Sequence, residues 1–226
     1  MALMHRTALF VILLSSMLSV QAQTGAPAEK SDPEAKKLLD RVRKQYQSYK
    51  SLDASFALTI EVPGAAKEVQ KGKVSQEGDK FRLDMTDQLI VSDAKTTWVY
   101  LKKNKEIQVD NADKNNESAF LTPQQLLGRY EKGDYLYAIA ERSTVNGRSI
   151  AQVEFKPVDK RSEYAKLRVS IDEKAGTVES IKAFAKDGSR YTFAISALTP
   201  NKAFAAGHFT LDTKQYPGVR VEDLRM

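Results

Sequence analysis

The feature that most constrains this chain is a change of hydrophobic period at Ser51. Before it, Ala35, Leu38, Leu39, Val42, Tyr46 and Tyr49 recur at helical spacing, and Lys36, Lys37, Arg41 and Lys44 cover the other side. Asp32-Pro33-Glu34 supplies an N-cap, a proline at the first helical position and an acid in the first turn. This predicts one amphipathic helix that must lie on something apolar. From Ser51 on, Leu52, Ala54, Phe56, Leu58 and Ile60 alternate with Asp53, Ser55, Ala57, Thr59 and Glu61, the period of a half-buried strand.

That period recurs along the chain and is broken in the middle, where "DNADKNNESAF" (110–120) reads as a polar loop. Pro63-Gly64 and Gly78-Asp79 turn the chain, a polar strand lies around Val69–Gln76 with Gly72 as a candidate bulge, and Phe81, Leu83 and Met85 share the next face. Further strands are expected near Glu106–Val109, Tyr135–Ile139, Ile150–Pro157, Lys166–Asp172, Val178–Ala185, Tyr191–Leu198 and Ala206–Leu211, with "DEKAG" and "KDGS" as hairpin turns. Thr122-Pro123 caps a short helix carrying Leu126, Leu127 and Tyr130. The expected fold is α+β: an incomplete antiparallel β-barrel, a half-barrel of about ten or eleven strands, with helices covering the concave face.

Residues 89–101, "LIVSDAKTTWVYL", break the rule that a sheet with one wet face alternates apolar and polar residues. Leu89, Ile90 and Val91 run without interruption, as do Trp98, Val99, Tyr100 and Leu101, so both faces of this hairpin want cover. A two-residue Asp93-Ala94 turn pairs Leu89 with Trp98 and Val91 with Thr96, and leaves Ile90 with Thr97, Val99 and Leu101 on the other face. Trp98 suits either a packed convex face or a cavity wall.

The N-terminus reads as a leader. Arg6 precedes an apolar run from Thr7 to Val20, and Val20-Gln21-Ala22 places small residues at −3 and −1 of a secretory cleavage site. The run is short and serine-rich for a membrane span; an uncleaved anchor is the alternative. The expected organisation is a signal peptide over 1–22, a flexible tether over 23–32 and a single exported domain over 33–226, and composition does not separate periplasm from medium. The chain has no cysteine, which excludes disulfides and acylation of an N-terminal cysteine.

The net charge is +6, and loss of Arg6 with the leader removes one unit. Lys and Arg are scattered among nearly as many acids, so no nucleic-acid stripe is present. "KKNK" at 102–105 is the densest basic cluster: a solvated hairpin end, or a weak attraction for anionic headgroups. Of two histidines, His5 leaves with the leader and His208 sits in "GHFTL" as a strand residue. No nucleophile elbow, P-loop or metal-ligand spacing is present, so neither an enzyme nor a cofactor is expected.

"LIVSDAKTTWVY" resembles the I/V-S-D-G-K-x-x-W-x-Y strand–turn–strand of the outer-membrane lipoprotein carrier family, the LolA type, with Ala94 at the turn glycine. "YKSLDASFALTI", "DKFRLDM", "LTPQQLLGRY" and "FTLDTKQYPGVRVEDLR" resemble further segments of that family in the same order, from about residue 35 to the end. The resemblance implies a periplasmic, monomeric, non-enzymatic carrier. It would take triacylated lipoproteins from an inner-membrane ATP-driven release complex, pass them to an outer-membrane acceptor, and bind no nucleic acid. It implies acyl chains held against Val42, Tyr46, Phe81, Leu83, Ile90, Val99 and Leu127. A carrier of another acylated lipid, and a lipid- or lipoprotein-sensing module, are the alternatives. Burying an acyl chain gains about 0.8 kcal/mol per CH₂, so a 16-carbon chain exposed to water costs on the order of 10 kcal/mol. Such a carrier needs an apolar surface and no directional polar groups. Two positions depart from the family: Gln76-Glu77-Gly78 replaces a K-R-P whose Arg latches the helical lid, and Gln124-Gln125 replaces apolar residues. The lid would then close through other contacts, such as Arg82 or Arg129, or close more loosely.

Overall fold

The computed structural model describes residues 30–112 and 130–225. Helix α1, Pro33–Gln47, starts where the sequence places it: the Asp32 carboxylate accepts from the Glu34 amide at 2.8 Å, and Pro33 occupies the first turn. Ala35, Leu38, Leu39, Val42 and Tyr46 form its buried stripe. Tyr49 lies past the helix end and is still packed against the same cluster.

Strands follow as β1 Ser51–Glu61, β2 Glu68–Glu77, β3 Lys80–Met85, β4 Gln88–Ser92, β5 Thr96–Leu101 and β6 Glu106–Asn111. A 3₁₀ turn at Tyr130–Lys132 leads to β7 Tyr135–Val145, β8 Arg148–Pro157, β9 Tyr164–Asp172, β10 Thr177–Ala185 and β11 Arg190–Pro200. After a second 3₁₀ turn at Thr213–Gln215 comes β12 Arg220–Asp223. All belong to one 12-stranded sheet, ordered β12-β6-β5-β4-β3-β2-β1-β11-β10-β9-β8-β7. The sheet is open, because β12 and β7 are its two edges. Every pairing is antiparallel except β12 on β6.

Four local expectations are corrected. Ala206–Leu211 is no strand: the chain from 201 to 219 crosses the sheet as an irregular segment, and Phe209 and Leu211 are buried beneath it. Its apolar alternation is real, but it answers to a sheet face rather than to a neighbouring strand. His208 accordingly sits in a turn. Gly72 is not a bulge, since the register of β2 runs through it unshifted on both sides. A Cβ there would lie 2.5 Å from the Phe56 ring and 2.8 Å from the Asp84 carbonyl oxygen, so the glycine permits a close approach. Finally, the β4–β5 loop has three residues, Asp93-Ala94-Lys95, and pairs Val91 with Trp98 and Leu89 with Tyr100. That moves each pair by two residues and therefore leaves the face of every side chain unchanged.

The expected leader over 1–22 and most of the helix around 122–130, including Leu127, lie outside the described residues. Among the described residues, no helix is long and apolar enough to cross a membrane.

Candidate functional site

The two faces of the sheet are covered by different segments. On one, α1 packs against β7–β11 and the start of β1, closing a cluster that contains Val153, Phe155, Val169, Ile171 and Ile181. Tyr46 lies at its centre: the Val178 amide donates to its hydroxyl at 3.1 Å, and burial pushes its pKa up to about 12. On the opposite face, at the other half of the sheet, the C-terminal crossing segment lays Leu211, Tyr216 and Val219 on Leu89, Val91, Trp98, Tyr100, Ile107 and Val109. Trp98 thus belongs to a packed face on the side away from α1. One of the two apolar faces of the hairpin is closed in this way.

The other face of the hairpin points to the α1 side. The register builds one cross-strand row on it: Leu198, Ala54, Val74, Leu83, Ile90 and Val99, one residue from each of β11, β1, β2, β3, β4 and β5. At a strand spacing of about 4.8 Å this row is roughly 24 Å long. Leu198 packs against the α1 cluster, whereas Leu83, Ile90 and Val74 belong to a second cluster with Phe56, Met85 and Phe193. Leu83 is buried, and Ile90 and Val99 are half-buried. The row beside it is mixed: Phe81, half-buried, stands between Gln76 and Ser92.

At the end of these strands the same face opens into a groove of about 230 Å³, lined by Gln70, Gln88, Leu101, Asp87, Lys103 and Asn104. Lys103 pairs there with Asp87 at 2.9 Å, while Lys102 pairs with Asp84 at 2.8 Å outside the groove. An apolar track leading to an amide- and charge-lined rim can hold an alkyl chain and leave a polar group in water. Among the described residues, no group of three His, Asp or Glu side chains is arranged to hold a metal ion.

The register therefore puts Phe81, Leu83, Ile90 and Val99 on one face, with Leu83 and Ile90 in one apolar cluster, and Val42 and Tyr46 lie in the α1 cluster instead. Arg82 faces away from α1 and donates to the His208 carbonyl at 3.4 Å, so it ties down the crossing segment and not a helix on the α1 side. Contacts with α1 that the sequence left unseen come from the 3₁₀ turn at 130–132. Arg43 pairs with Glu131 at 2.9 Å, and the Tyr130 hydroxyl donates to Asp40 at 2.7 Å. The Lys36 ammonium and then the Tyr130 hydroxyl hold the Asp40 carboxyl below the usual carboxylate range. No local signal joins residues 90 positions apart.

A family model described as outer membrane lipoprotein carrier protein LolA matches residues 47–212. No curated protein matches the chain. Among solved structures, an uncharacterized conserved protein from Thermus thermophilus is similar at TM-score 0.55 and 10% identity, over 85% of this chain and 99% of that one. A LolA superfamily protein from Nitrosomonas europaea gives TM-score 0.41 and 13% identity over 79% and 98%. The MucA/MucB complex of Pseudomonas aeruginosa gives 0.47 and 18% over 80% and 62%. At such identities the likeness concerns the fold, and it rests on the first of these structures.

Proposed function

Since this chain belongs to the family of the outer membrane lipoprotein carrier protein LolA, we propose that it carries the acyl chains of triacylated lipoproteins through the periplasm. It would load at an inner-membrane ATP-driven release complex and unload at an outer-membrane acceptor. In this reading it acts as a monomer, without catalysis or cofactor, after removal of a leader ending at Ala22. The observation that supports it best is the apolar row from Leu198 to Val99 on the α1 side of the sheet. One leaflet of a bilayer is about 15 Å of hydrocarbon, half of a core about 30 Å thick, so a row of roughly 24 Å accommodates an extended acyl chain.

Phe81, Leu83, Ile90 and Val99 line the proposed site where α1 does not cover it. Val42, Tyr46 and Leu127 complete the proposed lining; the first two are reached when α1 lifts from the sheet.

The test is displacement of an apolar dye from the purified protein by a triacylated lipopeptide, in wild type and in Phe81→Glu. Gln76 and Ser92 flank position 81 in register, so a carboxylate there has polar neighbours. The expected outcome is a folded variant that refuses lipopeptide. Uptake unchanged by Phe81→Glu excludes this surface. Recovery from cells of a bound lipid without any lipoprotein makes the protein a carrier of another acylated lipid.

A further inference from the structure

The face of the sheet opposite α1 carries a second pattern, away from the crossing segment. Three registered rows run across it. One reads Glu154, Arg168, Lys182, Thr192, Thr59 and Val69. The next reads Lys166, Phe184, Arg190 and Glu61, with Lys156 on the adjacent strand β8. The third reads Glu141, Gln152, Ser170, Ser180, Ala194, Ala57 and Lys71, and Lys73 stands two residues further along β2.

Cations therefore outnumber acids on this face. Glu154 is shared between Lys166 at 2.8 Å and Arg168 at 3.0 Å, and Glu61 reaches Lys182 only at 3.9 Å. Lys156, Arg190, Lys71 and Lys73 are exposed and close no ion pair among the described residues, although Arg190 stands across from Glu61 and Lys73 lies in the field of Asp53. At the centre, one phenyl ring collects three cations: Lys166, Lys182 and Arg168 stand 5.2, 5.5 and 5.7 Å from the centroid of Phe184. Between the charges the side chains are small: Ala57, Thr59, Thr192, Ala194, Ser170 and Ser180.

We infer that this face is a docking surface for an anionic lipid bilayer. Charge complementarity selects a negative partner, and the small residues select its kind. A face of Ala, Ser and Thr offers no pocket in which a partner protein could seat an anchor side chain. It can read the density of negative charge but not a sequence. A two-dimensional array of cations over several strands fits a two-dimensional array of phosphates, with each basic group near the surface adding to the attraction. Docked in this way, the α1 side with its apolar row stays turned to the aqueous phase. The inference does not depend on the cargo, because the two surfaces lie on opposite faces.

The experiment is co-sedimentation of the unloaded protein with vesicles of phosphatidylcholine alone or mixed with phosphatidylglycerol. The expected result is binding to the mixed vesicles only, weakening as salt shortens the screening length. Lys156→Gln with Arg190→Gln breaks no ion pair and should lower partitioning roughly 25-fold, about fivefold per charge. Lys37→Gln with Lys44→Gln removes the same charge from the exposed side of α1 and should change partitioning by less than about twofold. Should the first pair disturb folding, Lys71→Gln with Lys73→Gln on β2 provides the same reading. Equal losses from the face and α1 variants reduce the effect to net charge and overturn the inference. Equal binding to neutral vesicles, or no binding to either, overturns it as well. Release of bound protein by polyglutamate or a short DNA duplex at a lower charge concentration than that of the lipid assigns the face to a soluble polyanion instead.

Discussion

The hydroxyl of Tyr46, on the only described helix, accepts the buried amide of Val178 at 3.1 Å across 132 residues of sequence. This bond seats α1 on the start of β10. Tyr46→Phe keeps the ring and strands the Val178 N–H away from water, which costs about 1–3 kcal/mol. In a chain of this size that lowers the thermal midpoint by a few degrees. Calorimetry of the two proteins checks it; an unchanged midpoint means that α1 is held by its apolar stripe alone.

Gly72 and Phe56 are cross-strand partners in which the ring occupies the space a Cβ would need. Gly72→Ala also collides with a backbone oxygen, that of Asp84, which cannot rotate aside. The expected cost is about 1–3 kcal/mol from overpacking. In a Phe56→Leu background the same substitution should cost less, because the ring tip is gone. Denaturant titration of the four proteins gives the coupling; strict additivity would assign the glycine a purely backbone role.

Ala94 holds a left-handed conformation, φ 73°, in the β4–β5 loop, while the Asp93 carboxylate accepts from the amides of Lys95 and Thr96 at 2.9 and 2.7 Å. Only glycine adopts this backbone without steric cost. Ala94→Gly should therefore stabilise the protein by about 0.5–1 kcal/mol, read as a higher urea midpoint at unchanged slope. A lower midpoint contradicts the strain.

His208 introduces a pH dependence. Its ring stacks on Phe204 at 4.6 Å and meets Phe209 edge-on at 4.8 Å, and its Nε2 is buried without a hydrogen-bond partner. Burial, and then the neighbouring Arg82, push its pKa below the usual histidine value; Lys202 acts in the same direction and Asp53 against it. The neutral ring is the one the fold prefers. Its stabilising effect is complete above about pH 6.5, the unfolded value, and is lost as pH falls through the depressed folded value. The melting temperature should fall across that window in wild type, and the fall should be smaller in His208→Phe. Parallel curves for the two proteins remove His208 from the acid response.

Much of the candidate site was legible before the fold was known, and the reason is local. Ile90 and Val99 fall on one face from the sequence because side-chain parity along a strand survives an error of two residues in pairing, whereas Leu83 joins them there only through the family resemblance. The three-residue loop at Asp93–Lys95 introduced such an error and changed no face. Asp32 and Pro33 placed the start of α1 because capping acts within one turn. Val42 and Tyr46 were correctly read as the buried stripe of α1, but a stripe does not say which part of a sheet it meets.

What the sequence by itself determined is what is decided between residues a few positions apart: the helix start, and most of the strands with the faces of their side chains. Only the tertiary structure decided what covers each face. "GHFTL" has strand periodicity, yet Leu211 is buried as part of a segment crossing the sheet, because its partners come from elsewhere in the chain, while Phe209 packs on Phe204 and His208 of its own segment. Arg220 to Asp223 form the one parallel pair among the described strands, on β6, across 114 residues. Apolar burial has no direction and carries no address, so Leu89 and Val91 demand cover without naming Leu211, Tyr216 and Val219 as its source.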